Sequence, residues 1–168
     1  GFALTYATLA AIAKYPCASL AGHNKKHIFT KKYGFFQSEE TGFEKIAEEM
    51  NLIKVQDEPL VYKRHPLVYL VEAADDICYN IIDLEDAHRL KILSYQEVED
   101  LLLPLCNDQH LPSRLAKMED DDAKITLMRA KCISTLIGLC SNVFYEQQDA
   151  ILRGEFNMSL MDAIEEPY

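Results

Sequence analysis

The sequence predicts an all-α fold. Apolar residues recur at intervals of three and four over long stretches, and no stretch alternates apolar and polar residues as a half-buried strand does. With 168 residues, of which 49% are hydrophobic, the chain is long enough for one well-buried core. We therefore expect a single helical region that spans residues 1–168.

Two short helices are predicted in the first third of the chain. An apolar helical pattern over residues 4–13 ends at Pro16, because proline interrupts helical hydrogen bonding. A second pattern runs to Met50, and Thr41 with Glu44 matches the capping box that begins many helices.

Three longer helices are predicted after Pro66. Residues 67–90 contain no glycine or proline and are strongly periodic, and residues 94–105 begin at a serine cap. Residues 107–112 are polar and are expected to form an exposed loop. A final pattern over residues 125–144 follows three aspartates, which stabilise the positive end of a helix dipole.

The composition limits the possible partners and compartments. The net charge of −10 argues against general binding to nucleic acid or to an anionic membrane. Five cysteines without a C-x-x-C motif are expected to be buried thiols in a reducing, cytoplasmic compartment. The apolar opening has no basic leader, so a signal peptide or membrane span is not expected. Because a helical pattern is already running after Gly1, we expect the chain to come from a longer protein.

A row of polar side chains lies along the helix predicted over residues 67–90. Asp75, Tyr79 and Asp83 are spaced by four residues and therefore form a line on one side of the helix. The line borders an apolar stripe that is expected to be buried, whereas Asp76 is expected to point toward solvent or a neighbouring polar element. The stripe consists of Leu67, Leu70, Val71, Ala74, Ile77, Cys78 and Ile81.

A carboxylate at the edge of a core needs a cation, hydrogen bonds or protonation to compensate its lost hydration. A divalent metal is a natural partner for Asp75. An ordinary solvated helix face has the same spacing, so the spacing alone leaves both interpretations open.

A resemblance to a known family adds to this pattern. Residues 64–87, RHPLVYLVEAADDICYNIIDLEDA, resemble a helix of bacterial dGTPase-like triphosphohydrolases of the HD superfamily. Weaker similarity covers LTYATLAAIAKYP, KKYGFFQSE and the segment from Arg129 to Phe144. The chain thus resembles a middle-to-late part of those enzymes, which hydrolyse deoxynucleoside triphosphates, dGTP foremost, to deoxynucleoside and triphosphate.

The resemblance implies roles for three residues. In the family a divalent metal such as manganese or magnesium is held by a histidine, an adjacent His-Asp pair and a later aspartate, which Asp75 matches. Tyr79 matches a tyrosine that lies against the sugar, and Asp83 matches an aspartate directed at the sugar 3′-hydroxyl. The family also implies a homo-oligomer.

The chain also departs from the family pattern. It contains no His-Asp dipeptide, and its histidines stand at positions 23, 27, 65, 88 and 110. Since one carboxylate cannot hold a catalytic metal, the isolated chain is expected to be inactive.

Basic residues are the candidates for binding the triphosphate. They are Lys31 and Lys32, with Lys25 and Lys26, in the basic segment 23–32, and Arg129 on the last long helix. Exposed solubilising charges would give the same sequence.

Several other residues have a structural interpretation. Phe35 and Phe36 are expected in the core rather than in a nucleobase pocket, and His65 is expected to be structural. Three further acidic residues, Glu72, Glu85 and Asp86, are expected on a solvated face or in contacts between subunits.

Two alternative functions remain open from the sequence. One is an HD phosphohydrolase that acts on a different nucleotide. The other is a helical module that binds nucleotide or a partner protein without catalysis.

Overall fold

Helices dominate the computed structural model, which describes residues 3–21 and 27–164, and this confirms the all-α prediction. The α-helices in these residues are α1 (Tyr6–Ile12), α2 (Glu40–Glu49), α3 (Leu67–Arg89), α4 (Tyr95–Leu102), α5 (Leu111–Leu115), α6 (Asp121–Glu146) and α7 (Gln148–Leu152). Three short 3₁₀ helices cover Ile28–Thr30, Gln37–Glu39 and Leu103–Cys106. Among the described helices none has both the length and the apolar character needed to cross a membrane.

The chain divides into two compact units. Unit 1 consists of Gly1–Glu72 and Phe144–Ala163, and unit 2 consists of Ala73–Val143 and Ile164–Tyr168. The first residues of α3 therefore belong to unit 1, and its larger part belongs to unit 2.

An aromatic cluster forms the core of unit 1. The rings of Phe35 and Phe43 stack with their centroids 4.4 Å apart, and Tyr62 packs against Phe43 at 5.9 Å. The chain approaches itself closely at Gly34, where a Cβ atom would lie 2.3 Å from the carbonyl oxygen of Tyr15. Only glycine fits there, since any side chain would force the backbone apart.

A small antiparallel hairpin in unit 1 was not expected from the sequence. Strand β1 (Lys54–Gln56) pairs with β2 (Val61–Tyr62), and both residues of β2 are buried. Strands of three and two residues are too short to produce a recognisable alternation, so the periodicity could not reveal them.

The predicted cap of the second helix is wrong. Helix α2 begins at Glu40, directly after the 3₁₀ helix Gln37–Glu39. The carboxylate of Glu39 accepts a hydrogen bond from the backbone N–H of Phe36 at 2.9 Å, so the chain turns before Thr41. The periodic pattern that runs to Met50 is confirmed as a helix, and it buries Phe43 and Ala47.

Unit 2 contains the two predicted helices that follow α3. Ser94 caps α4 through a reciprocal pair of hydrogen bonds: its hydroxyl accepts from Glu97 N at 3.3 Å, and its own N–H donates to Glu97 Oε2 at 2.8 Å. Helix α6 buries the predicted side, namely Ile125, Met128, Cys132, Leu136 and Cys140. The predicted loop at residues 107–112 is wrong in part, because α5 begins at Leu111, which is fully buried.

Replacing Ser94 with alanine is expected to destabilise the protein by about 0.5–2 kcal/mol, because the first turn of α4 loses its cap. The measurement is urea unfolding of the wild type and the variant. Ser141→Ala is the matched control, since this exposed hydroxyl only donates to the Ile137 carbonyl within α6. Equal unfolding midpoints for both variants would contradict the capping role.

Candidate functional site

The exposed side of α3 carries the three residues singled out by the sequence. Asp75, Tyr79 and Asp83 all lie in unit 2 and are all exposed, Tyr79 to 68%. Each is one turn from the next, and Asp75 and Asp83 are separated by about 12 Å along the helix axis. A ligand that spans two helical turns can therefore reach all three side chains.

The predicted buried stripe of α3 is largely wrong. Of its seven residues only Ile77 and Ile81 are buried, while Leu67, Leu70, Val71, Ala74 and Cys78 are exposed. Apolar residues occupy more than one side of α3, and a helical wheel cannot tell which side the rest of the fold covers.

The covered side within unit 2 is Ala73, Ile77, Ile81 and Glu85, spaced by four residues. Asp75 is therefore exposed instead of bordering a core. The half-buried carboxylate is that of Asp76, for which solvent or a neighbouring polar element was expected.

Asp76 lies close enough to Cys140 of α6 for its charge to act on the thiol. The pKa of the Cys140 thiol is raised first by burial and second by the negative charge of Asp76. By contrast, Cys78 is exposed on α3, so the expectation that all the cysteines are buried is wrong for this residue.

The described residues do not form a complete metal site. Among them no group of three or more His, Cys, Asp or Glu side chains could hold an ion. Asp75 and Asp83, about 12 Å apart along the helix, cannot share an ion that binds oxygen at roughly 2.0–2.6 Å. Asp75 can thus contribute one carboxylate to a metal, and the other ligands would have to come from elsewhere.

Arg129 of α6 takes part in a charged cluster with α3. Its guanidinium donates to a carboxylate oxygen of Glu85, and Arg89 donates to the other oxygen at 2.7 Å. The Glu85 side chain is only 5% exposed, whereas that of Arg129 is 33% exposed. Arg129 thus keeps an accessible surface while a buried carboxylate holds it in place.

The expectation of a solvated face is wrong for Glu85 and also for Glu72. In unit 1, Glu72 is buried and pairs with Arg64 at 2.7 Å and with Lys14 at 3.0 Å. Helical periodicity shows neither partner, because Arg64 precedes α3 and Lys14 is far away in the sequence. Asp86, the third residue of this group, is exposed as expected.

The basic segment is only partly described. Lys31 and Lys32 are exposed and follow the 3₁₀ helix Ile28–Thr30 in unit 1. The backbone carbonyl of Lys32 accepts a hydrogen bond from the Cys17 thiol at 3.2 Å, which fixes the backbone and leaves the ammonium group outside this contact. Lys25 and Lys26 lie outside the described residues.

The aromatic and histidine expectations have different outcomes. Phe35 is in the core as expected, but Phe36 is 57% exposed, so the core prediction is wrong for it. His65 is buried, and its Nδ1 accepts a hydrogen bond from Leu67 N at 3.2 Å. Burial lowers the pKa of His65, which favours the neutral ring that this hydrogen bond requires.

Sequence reasoning missed two clusters in unit 2. One is the cluster in which Glu85 pairs with both Arg89 and Arg129. The sequence shows only the four-residue spacing between Glu85 and Arg89, which allows a pair within one helix. The other is the close approach of Cys106 to Cys132. Neither of these long-range contacts leaves a signal in local periodicity.

No protein-family model matches the chain, but curated proteins of one name are similar to it. The chain is 40% identical over 173 aligned residues to a deoxyguanosinetriphosphate triphosphohydrolase-like protein of Pseudomonas aeruginosa (strain LESB58), with 99% of the chain and 38% of that protein aligned. A protein of the same name from Synechocystis is 38% identical over 96% of the chain and 37% of its own length.

More distant similarity extends to a protein named as the enzyme itself. The deoxyguanosinetriphosphate triphosphohydrolase of Yersinia pestis (strain Pestoides F) is 27% identical over 95% of the chain and 34% of its own length. The chain therefore spans less than two fifths of the length of these curated relatives. Over nearly its whole length, the chain is homologous to a segment of the deoxyguanosinetriphosphate triphosphohydrolase-like proteins.

Proposed function

We propose that the chain is part of a longer, metal-dependent enzyme that hydrolyses deoxynucleoside triphosphates, dGTP foremost, to deoxynucleoside and triphosphate. The observation that carries this proposal is the exposed row Asp75, Tyr79 and Asp83 on α3, in a chain whose relatives are named for this reaction. The 168-residue chain alone is expected to be inactive, because its described residues hold no group of three or more side chains that could bind a metal.

Each residue of the row has a distinct role in the proposal. Asp75 supplies one carboxylate to a divalent ion, manganese or magnesium, whose remaining ligands belong to the rest of the longer protein. Tyr79 packs against the sugar of the substrate. Asp83, one turn further along α3, accepts a hydrogen bond from the sugar 3′-hydroxyl.

Basic residues neutralise the triphosphate in this proposal. Arg129 has the best support, because Glu85 fixes its guanidinium while a third of the side chain stays accessible. Lys31 and Lys32 are exposed and free to adapt to a phosphate group, with the backbone of Lys32 anchored by Cys17. Cations at these positions would oppose the charge that accumulates on the leaving triphosphate.

The longer protein is proposed to be a cytoplasmic homo-oligomer. The compartment rests on the sequence, whose five cysteines form no C-x-x-C motif. The oligomer rests only on the family resemblance, and the mass in solution measured by light scattering tests it.

The Asp83 role predicts a specific loss with a modified substrate. Asp83→Asn is expected to lower kcat/KM for dGTP by about 10-fold to 100-fold, the usual effect of weakening a hydrogen bond to a charged group. The wild type should lose a similar factor when dGTP is replaced by 2′,3′-dideoxyGTP, and the variant should lose little more. If the variant distinguishes the two substrates as strongly as the wild type does, the role of Asp83 is wrong.

A product analysis of the longer protein tests the proposed function. The protein is incubated with manganese and a panel of dGTP, GTP, dGDP and other deoxynucleoside triphosphates, and the released phosphates are separated. We expect triphosphate from dGTP. Faster hydrolysis of a ribonucleotide or a diphosphate would favour a phosphohydrolase of another specificity, and nucleotide binding without any product would favour a non-catalytic module.

A further inference from the structure

Two buried thiols lie in contact within unit 2, apart from the row on α3. The sulfur atoms of Cys106 and Cys132 are 3.3 Å apart, and both residues are almost fully buried. Cys106 ends the 3₁₀ helix Leu103–Cys106, and Cys132 lies on α6. Both thiols are within 3.1–3.2 Å of the carbonyl oxygen of Leu102, which holds them on the same side.

A pocket at the surface of unit 2 is lined by one of the two cysteines. It has a volume of about 470 Å³, and Cys106, His110, Lys131 and Thr135 are among the residues that line it. Cys132 does not line this pocket. A small oxidant in this pocket therefore lies next to residue Cys106 and not next to Cys132.

Of the two cysteines, Cys106, which lines the pocket, is also the one whose thiol pKa is lowered. The hydrogen bond between the two thiols, in which either sulfur can donate, lowers the pKa of Cys106 and raises that of Cys132. Burial and the charge of Asp108 oppose the lowering, and the ammonium group of Lys131 supports it. Lys131 and Asp108 themselves form an ion pair at 2.9 Å at the pocket.

The other described cysteines lack this combination. Burial raises the pKa of Cys17 to about 11, and its thiol donates to the Lys32 carbonyl. Burial also raises the pKa of Cys140. Cys78 is exposed on α3.

We propose that Cys106 and Cys132 form a reversible oxidation site that reacts with hydrogen peroxide, with Cys106 as the attacking thiolate and Cys132 as the resolving thiol. Sulfur of Cys106 attacks one peroxide oxygen and breaks the O–O bond, which gives a sulfenic acid and hydroxide. The Cys132 sulfur then attacks the Cys106 sulfur, and water leaves as the disulfide forms. Peroxide is the oxidant and accepts the two electrons.

Peptide mapping of the peroxide-treated protein tests the proposal. Cys78→Ser is used as the parent, because an exposed thiol would form disulfides between molecules. After trypsin without reduction, we expect residues 92–114 linked to residues 132–153, with the loss of two hydrogen atoms and full reversal by dithiothreitol. Fragmentation of the linked peptide distinguishes Cys132 from Cys140.

Two variants separate the roles of the pair. Cys132→Ser is expected to accumulate a sulfenic acid on Cys106 that dimedone traps, whereas Cys106→Ser should leave Cys132 unmodified. The circular dichroism of both variants reports whether they fold. Within the parent protein, Cys106 should react faster than Cys17 and Cys140, and this comparison does not depend on any variant.

Three results would overturn the proposal. They are linkage of Cys106 to a residue other than Cys132, dimedone trapping on Cys132 in preference to Cys106, and oxidation of Cys17 or Cys140 at the same rate as Cys106. Each would show that the contact and the pocket do not direct the reaction.

Discussion

Replacing Asp75 with alanine is expected to abolish triphosphate release from dGTP by the longer protein, lowering kcat by about two to three orders of magnitude or more. Asp75 is the carboxylate that this chain contributes to the proposed metal, and alanine removes both its charge and its oxygen atoms. The side chain is exposed, so the replacement should leave the stability of the fold nearly unchanged. The measurement is steady-state kinetics at saturating manganese.

Asp86→Ala provides the matched control for this variant. Asp86 lies on the same helix and is also exposed, and its contact is a long ion pair with Arg89 at 3.9 Å. We expect its kcat to stay within a factor of a few of the wild type. If Asp75→Ala and Asp86→Ala retain similar activity, Asp75 does not have the proposed role.

Replacing Arg64 with methionine is expected to destabilise the protein by about 3–5 kcal/mol, because it leaves a buried carboxylate without its main partner. The Arg64 side chain is completely buried, with Nη1 at 2.7 Å from Glu72 Oε2 and Nε donating to the Lys14 carbonyl at 2.9 Å. After the replacement the Lys14 ammonium group, at 3.0 Å, would still face Glu72. Urea unfolding measures the difference.

An exposed pair in the same unit gives the control for Arg64. Arg153 lies 2.9 Å from Glu155, and both side chains are 61% exposed. Removing one partner of such a surface pair costs at most about 1 kcal/mol. A further variant, Arg64→Met with Glu72→Leu, should recover much of the lost stability, since it leaves no buried charge. A loss below about 1 kcal/mol for Arg64→Met alone would contradict the importance of this buried pair.

The sequence predicted those parts of the fold that depend on local patterns. The buried side of α6 and the Ser94 cap of α4 follow from spacing within a few residues, and both are confirmed. The short hairpin and the start of α5 at Leu111 depend on packing against distant residues. Local periodicity has no information about such contacts.

The side of α3 that is covered could not be predicted for a related reason. Apolar residues lie on more than one side of this helix. The side that carries Ile77, Ile81 and the charged Glu85 is buried, and Glu85 there pairs with Arg129 on α6. The ion pairs of Glu72 with Lys14 and of Glu85 with Arg129 likewise join residues that are far apart in the sequence.

The candidate row could be placed on one helix from its spacing alone, but its chemical roles came from resemblance. Four-residue spacing put Asp75, Tyr79 and Asp83 on one line, and all three are accessible. The idea that a core edge desolvates Asp75 is wrong. A metal role for this exposed carboxylate therefore depends on ligands that approach α3 from the rest of the longer protein.

The amount of manganese that the purified protein retains tests the proposed metal role of Asp75. The longer protein, its Asp75→Ala variant and the 168-residue chain are loaded with manganese and desalted, and the metal is measured by mass spectrometry. We expect tightly bound manganese in the longer protein and little in the variant or the isolated chain. Equal manganese in the wild type and the Asp75→Ala variant would contradict this role.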